Sequence, residues 1–253
     1  MGLLENKVAV VSGATGGQGQ AVCRRFSAEG ATVVGVDISD ERAGELGEQL
    51  ASGPGKFEFR RVDVGDSAEV NALADHVRAE HGGLHVLYNN AGIMHQIPTL
   101  EVTDEQWDEV LDVNLKSAFL MTRALVPLMR EAGGGSIINV SSTGALRAFE
   151  ALAPYGAAKA GLIHFSRVTA AEFGPEIRVN AVSPGFIDTP MARSFATNLP
   201  NPDEAWEMMA EQPVLKRFAS SDEVANLAVW LASDEASFVT GEAITIDGGS
   251  ILR

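Results

Sequence analysis

Cysteine is nearly absent. The 253 residues hold one, Cys23, so no internal disulfide can form, and a reducing compartment is expected. Basic residues are scarce. Nineteen Lys+Arg stand against 34 Asp+Glu, and the formal net charge is −15. Nucleic acids and anionic membranes require clustered Lys/Arg, so neither is expected as a partner. Long apolar runs are also missing, although 45% of the residues are hydrophobic. Nothing approaches the ~18 consecutive apolar residues that a bilayer-spanning helix needs. The start, Met1-Gly2-Leu3-Leu4-Glu5-Asn6-Lys7, has no basic opening and no apolar targeting core, and Asn6 stands where a myristoylation signal carries Ser or Thr. The sequon Asn139-Val140-Ser141 lies inside an apolar run and reads as chance. A chain of this length buries roughly three quarters of its unfolded surface, so it needs neither disulfide nor metal as a staple, and no metal is expected. A soluble cytoplasmic protein is the expectation.

What is present is a regular alternation. Lys7–Ser12 is a continuous apolar run that ends at a glycine cluster, as a central parallel strand buried on both faces would read. Thr32–Val36, Phe57–Val62, His85–Tyr88, Ser136–Val140, Arg178–Val182 and Ala243–Ile246 repeat the pattern. Helix-period stretches lie between them, at about Gln18–Glu29, Glu41–Ala51, Ser67–Glu80, Asp104–Glu131, Tyr155–Phe173 and Ser221–Ala232. Thr103…Gln106 and Ser220…Glu223 have capping-box spacing. Gly30, Gly82 and Gly174 fall just past helix ends, where a left-handed residue is often needed. Such alternation predicts one α/β domain over residues 1–253, a parallel sheet of about seven strands with helices on both faces. The Pro-rich stretch Pro184–Pro213 follows the strand Arg178–Val182 and so emerges where ligands sit in open α/β sheets. It reads as a lid at about 186–213, or as an ordered surface excursion.

Between the first strand and the first helix stands Ser12-Gly13-Ala14-Thr15-Gly16-Gly17-Gln18-Gly19. Glycines here let the backbone approach a pyrophosphate, and the helix start offers free N–H groups to it. Asp37 ends the second strand, where a carboxylate accepts both hydroxyls of an adenosine ribose and repels a 2′-phosphate. Ile38-Ser39 beyond it are uncharged, which favours NAD(H) over NADP(H). Asp63, ending the third strand, is placed either to meet an adenine amino group or to cap the helix before Ser67. Downstream, Ser142 follows a strand end, and Tyr155 and Lys159 sit at i and i+4 on one helical face, after Pro154. A tyrosine is a poor base at neutral pH unless a nearby positive charge favours its phenolate. So assisted, Tyr155 can exchange a proton with an alcohol or carbonyl oxygen while Ser142 hydrogen-bonds the same oxygen.

At these residues the chain resembles the short-chain dehydrogenase/reductase family, over essentially its whole length. Ser12-Gly13…Gly17-Gln18-Gly19 resembles the family's glycine turn, with Ser12 in place of threonine and Gln18 where many members are apolar. Asp63-Val64 resembles the adenine-contacting pair, and Asn89-Asn90-Ala91-Gly92 the motif after the fourth strand. Asn114, Ser142, Tyr155 and Lys159 match the catalytic tetrad, and Ile246-Asp247-Gly248-Gly249 the C-terminal strand motif.

The resemblance implies a Rossmann-type doubly wound sheet in a three-layer αβα sandwich. It implies Tyr155 as general acid/base, Ser142 orienting the substrate oxygen, and Lys159 binding the nicotinamide ribose and lowering the tyrosine pKa. Asn114 is implied to hold a water that relays protons to Lys159. The implied cofactor contacts are Gly13, Gly17, Gln18, Gly19, Asp37, Ile38, Asp63, Val64, Asn90, Ala91, Gly92, Tyr155, Lys159, Pro184, Gly185, Ile187 and Thr189. A homotetramer is implied, with Asp104–Glu131 and Tyr155–Phe173 at one interface.

By the family pattern a small-molecule pocket draws on Met94, His95, Gln96, Ser142, Thr143, Arg147, Phe149, Phe186, Met191, Trp206, Met208 and Met209. The Met and aromatic content favours an apolar or cyclic ketone or secondary alcohol, unless these side chains are lid-packing core. His95 either touches a substrate oxygen or is incidental. A 3-oxoacyl-carrier-protein reductase is the near alternative, but acidic carriers want a basic docking face, and here Glu131 and Glu176 stand where one is sought. A non-catalytic dinucleotide-binding protein or a methyltransferase would not need Ser142, Tyr155 and Lys159 at this spacing.

Overall fold

A computed structural model describes residues 2–252. The apolar runs become seven strands: β1 (Val8–Ser12), β2 (Thr32–Asp37), β3 (Lys56–Arg61), β4 (Val86–Asn89), β5 (Gly135–Val140), β6 (Ile177–Pro184) and β7 (Ala243–Ile246). They form one sheet in the order β3-β2-β1-β4-β5-β6-β7, with every pairing parallel. The helices are α1 (Gly17–Ala28), α2 (Ala43–Leu50), α3 (Ser67–His81), α4 (Asp104–Leu111), α5 (Ser117–Glu131), α6 (Ala153–Phe173), α7 (Pro190–Thr197), α8 (Pro202–Glu211) and α9 (Ser221–Ala232). The chain winds outward from β1 to β3, returns to β4 beside β1, and winds the other way. This Rossmann-like topology opens a crevice between the carboxyl ends of β1 and β4.

The strands read as unbroken apolar runs because each is buried twice. Ala9, Val11, Val33 and Val86 pack into one core with α1, α2 and α9. Val8, Val10, Val34 and Leu87 pack into a second core with α3, α5 and the end of α6, Ala170 and Phe173. Each fully buried Val or Leu contributes about 1.5–3 kcal/mol, which holds helices on both faces of the sheet. Both capping boxes form, Thr103 with Gln106 and Ser220 with Glu223.

Two local expectations fail. The stretch 104–131 is not one helix. It widens into a π turn at Asp112–Lys116, and α4 and α5 flank it. Gly30 and Gly82 have φ of 91° and 73°, as expected, but Gly174 has φ −67° and ψ 151°. Pro175 follows it, and a residue before proline is pushed to extended backbone.

Candidate active site

The crevice begins at the end of β1. Ser12 Oγ accepts hydrogen bonds from the backbone N–H groups of Asn90 (2.9 Å) and Ala91 (3.1 Å). Asn90 Nδ2 donates to the carbonyls of Ser12 (3.0 Å) and Gly13 (3.2 Å). The glycine turn is thus stitched to the end of β4, and the serine that replaces threonine supplies the needed hydroxyl. Gly13 has φ +64°, and a Cβ on Gly19 would lie 1.9 Å from the Gly13 carbonyl oxygen. Gly19 therefore serves the turn by letting α1 tuck beneath it, and it does not line the cleft as expected of a contact residue. No side chain caps α1. Its first N–H groups stay free beside Gly16, Gly17 and Gln18, which do line the cleft.

Asp37 braces the turn from β2. Its Oδ2 accepts from the Thr15 N–H (3.0 Å) and hydroxyl (2.7 Å), and its Oδ1 from the Ser39 N–H (3.3 Å). Ile38 lies beside it, exposed at the cleft. Asp63 also lines the cleft, and its Oδ1 accepts from the Gly65 N–H (2.8 Å). The cap of α3 is Asp66, so the helix-capping reading of Asp63 falls away.

Ser142 stands just beyond β5, and its Oγ accepts from the Gly144 N–H (3.0 Å). Tyr155 and Lys159 project from α6. The Lys159 ammonium donates to the Val140 carbonyl (2.8 Å) and lies 5.7 Å from the Tyr155 ring centre. Ser141 Oγ donates to the Lys159 carbonyl (2.8 Å), tying α6 to the end of β5. Asn114 sits in the π turn, and its Nδ2 donates to the carbonyls of Ile93 and Val110, both at 2.9 Å. Its Oδ1 is buried with no partner. A Cβ on Gly92 would lie 2.6 Å from that oxygen and 3.4 Å from Lys159 Nζ. Gly92 thus keeps open a space that both atoms face, and a water there would satisfy the orphaned oxygen.

Burial pushes Lys159 down to about 8. Burial also raises the Tyr155 phenol, and the neighbouring Ser142 hydroxyl acts in the opposite sense. The expected lowering of Tyr155 is therefore not a property of the site as it stands, because desolvation of the phenolate outweighs its neighbours.

These residues share one cleft of about 690 Å³. It is lined by all the expected cofactor residues except Gly19, and by Asn114 and Ser142. Met94, Thr143, Phe149, Phe186, Met191 and Met209 line it as expected of the substrate pocket. His95, Gln96, Arg147, Trp206 and Met208 do not. His95 Nε2 pairs with Glu109 Oε2 at 2.8 Å. Arg147 donates to the Ser250 carbonyl (3.2 Å). Trp206 stacks on Phe218 with ring centres 3.9 Å apart. Met208 is exposed. The sequence reading missed Leu152 and Phe195 on the apolar wall, and Glu41 and Arg42 beyond Asp37. The spacing of Phe195 on α7 was legible in principle, since Met191 lies one turn before it. The residues fit a dinucleotide: an uncapped helix start under a glycine turn, a carboxylate at the end of β2, and an open cradle at Gly92.

Comparison with known proteins agrees with this geometry. The family model described as enoyl-(acyl carrier protein) reductase matches residues 13–250. A 3-oxoacyl-[acyl-carrier-protein] reductase of Thermotoga maritima is 40% identical over 250 residues, covering 98% of this chain and 99% of that protein. A 3-alpha-(or 20-beta)-hydroxysteroid dehydrogenase of Mycobacterium tuberculosis is 41% identical over 252 residues, covering 99% of this chain and 91% of that protein. Among solved structures, a protein from Burkholderia xenovorans described as a short-chain dehydrogenase/reductase superposes with a TM-score of 0.96 at 35% identity, covering 100% of this chain and 99% of that one.

Proposed function

We propose a function on one premise: the chain belongs to the short-chain dehydrogenase/reductase family. It is an oxidoreductase that moves a hydride between NAD(H) and a secondary alcohol or ketone of apolar or cyclic character. The observation that carries this is the convergence of Asn114, Ser142, Tyr155 and Lys159 on the cleft that the glycine turn and Asp37 also line.

The nicotinamide dinucleotide supplies or accepts the hydride when bound. The free N–H groups of α1 hold its pyrophosphate. Asp37 accepts its ribose hydroxyls and disfavours a 2′-phosphate, which selects NAD(H). Asp63 and Val64 would take the adenine, and Pro184, Gly185, Ile187 and Thr189 the nicotinamide carboxamide, with Asn90, Ala91 and Gly92 also lining the cleft. Ser142 donates to the substrate oxygen. Tyr155 takes the alcohol proton in oxidation and returns it to the carbonyl oxygen in reduction. The Lys159 charge, 5.7 Å from the Tyr155 ring centre, favours the phenolate against the burial that raises it, without outweighing that burial in the ligand-free site. With its own value pushed down to about 8, Lys159 gives up a proton more readily than an exposed lysine, and a water at the unpartnered Asn114 Oδ1 would carry that proton away.

Met94, Phe149, Leu152, Phe186, Met191, Phe195 and Met209 give the substrate end an apolar wall. The segment at about 186–213, with α7 and α8, acts as its lid over one domain spanning 1–253. We also place the enzyme in the cytoplasm, as a homotetramer.

A second reading, a 3-oxoacyl-carrier-protein reductase using NADPH, is favoured by the Thermotoga relative. A net charge of −15 disfavours docking of an acidic carrier, whereas Glu131 and Glu176 are paired with Arg78 (3.1 Å) and Arg130 (3.2 Å) and carry less weight. The test compares NADH formation from small aliphatic, alicyclic, terpenoid, aryl and steroid alcohols with NADPH consumption by a 3-oxoacyl thioester. NAD-dependent alcohol oxidation is the expected result. Efficient thioester reduction with NADPH alone would select the second reading.

A further inference from the structure

Away from the cleft, β3 forms one edge of the sheet, and its Glu58 meets two histidines of α3. His76 Nε2 lies 2.6 Å from Glu58 Oε1, and His81 Nε2 lies 3.6 Å from Glu58 Oε2. One ligand atom from each residue falls within 4.8 Å of the other two. None of the three lines the cleft. His81 Nε2 is buried and has no hydrogen-bond partner, a costly arrangement for a ring nitrogen.

We propose that Glu58, His76 and His81 bind a zinc ion. Two imidazole nitrogens and a carboxylate oxygen are a zinc ligand set, and imidazole disfavours magnesium and calcium. Ligand bonds of about 2.0–2.2 Å at tetrahedral angles put neighbouring ligand atoms roughly 3.3–3.5 Å apart. His81 Nε2 stands 3.6 Å from Glu58 Oε2, close to that spacing. His76 Nε2 stands 2.6 Å from the other oxygen, Oε1, so the carboxylate turns one oxygen to the ion and this gap opens by roughly 1 Å. The orphaned His81 nitrogen gains its partner, and a water fills the fourth position. The three side chains are 15–34% exposed, so the ion has a way in. Arg60 Nη1 stands 3.5 Å from His76 Nε2, and this exposed cation turns away when zinc takes the nitrogen. The ion joins the edge strand to the last turn of α3, and its role is structural. Neither hydrophobic core includes these three side chains, so zinc would add stability to the fold rather than build it.

The test uses the untagged full chain, stripped with a chelator and titrated with zinc chloride by calorimetry, with thermal melts alongside. One zinc per chain and a melting temperature that stops rising at one equivalent are expected. Glu58→Gln, His76→Gln and His81→Gln should each weaken zinc at least ~10-fold and leave NADH binding unchanged. Cobalt should give the strong visible absorption of a four-coordinate ion in the wild type and lose it in the variants. No stoichiometric zinc in the wild type would overturn the proposal. So would wild-type affinity in any two variants, since the ion would then sit elsewhere. Three separate substitutions keep the test decisive if one of them fails to fold.

Discussion

Replacing Lys159 by methionine should change how stability depends on pH. The lysine is buried, and burial lowers its folded value to about 8 from an ordinary 10.5. Between those values the unfolded chain holds the proton more tightly than the folded one. Wild-type stability therefore rises with pH across this window, and the penalty for charging the buried amine is fully present below about 8. Integrated from about pH 7 to about pH 10, the gain is roughly 2–3 kcal/mol. Methionine keeps the length of the side chain and removes the charge. It also leaves the Val140 carbonyl without its donor, a cost of about 1–3 kcal/mol that does not vary with pH. Urea unfolding of both ligand-free proteins, at one protein concentration, isolates Lys159 in the difference curve because the other groups cancel. The variant should lose roughly 2–3 kcal/mol relative to wild type as pH rises through the window. A flat difference would refute the reasoning, and with it a lysine poised to release protons near neutrality.

Tyr155→Phe should lower kcat by about 10²–10⁴ and leave NADH affinity nearly unchanged, since the hydroxyl acts on the substrate; steady-state rates and fluorescence titration check this. Asp37→Ala should weaken NAD(H) and raise the NADP(H)/NAD(H) ratio of kcat/KM by about tenfold or more. It also removes the acceptor of both Thr15 hydrogen bonds, so a melting temperature lower by a few degrees should accompany the change. Gly19→Ala should abolish dinucleotide binding and lower the melting temperature. Its Cβ would collide with the Gly13 carbonyl oxygen, and a well-folded, NADH-binding variant would contradict the packing described for the turn.

The sheet was legible because strands buried on both faces carry unbroken apolar runs, and all seven emerge within one or two residues of their expected bounds. The glycine turn and the tetrad were legible because their spacing places them on particular ends of particular elements. The π turn was not legible. Asp112-Val113-Asn114-Leu115-Lys116 has no proline or glycine, and nothing in its side chains marks the widening. The substrate wall was only half legible, since loop direction depends on distant partners. Arg147 turns to a carbonyl 103 positions away, and Trp206 turns to Phe218. Asp37 also does more than its position implied, bracing Thr15 as well as facing the cleft.

Transfer of isotope tests the central claim most directly. A secondary alcohol deuterated at its carbinol carbon is turned over with NAD+, and the reduced dinucleotide is weighed by mass spectrometry. The account predicts one deuterium per NADH formed, with production lost in Tyr155→Phe. Turnover that leaves the dinucleotide unlabelled, or labelled turnover that survives in Tyr155→Phe at the wild-type rate, would contradict it.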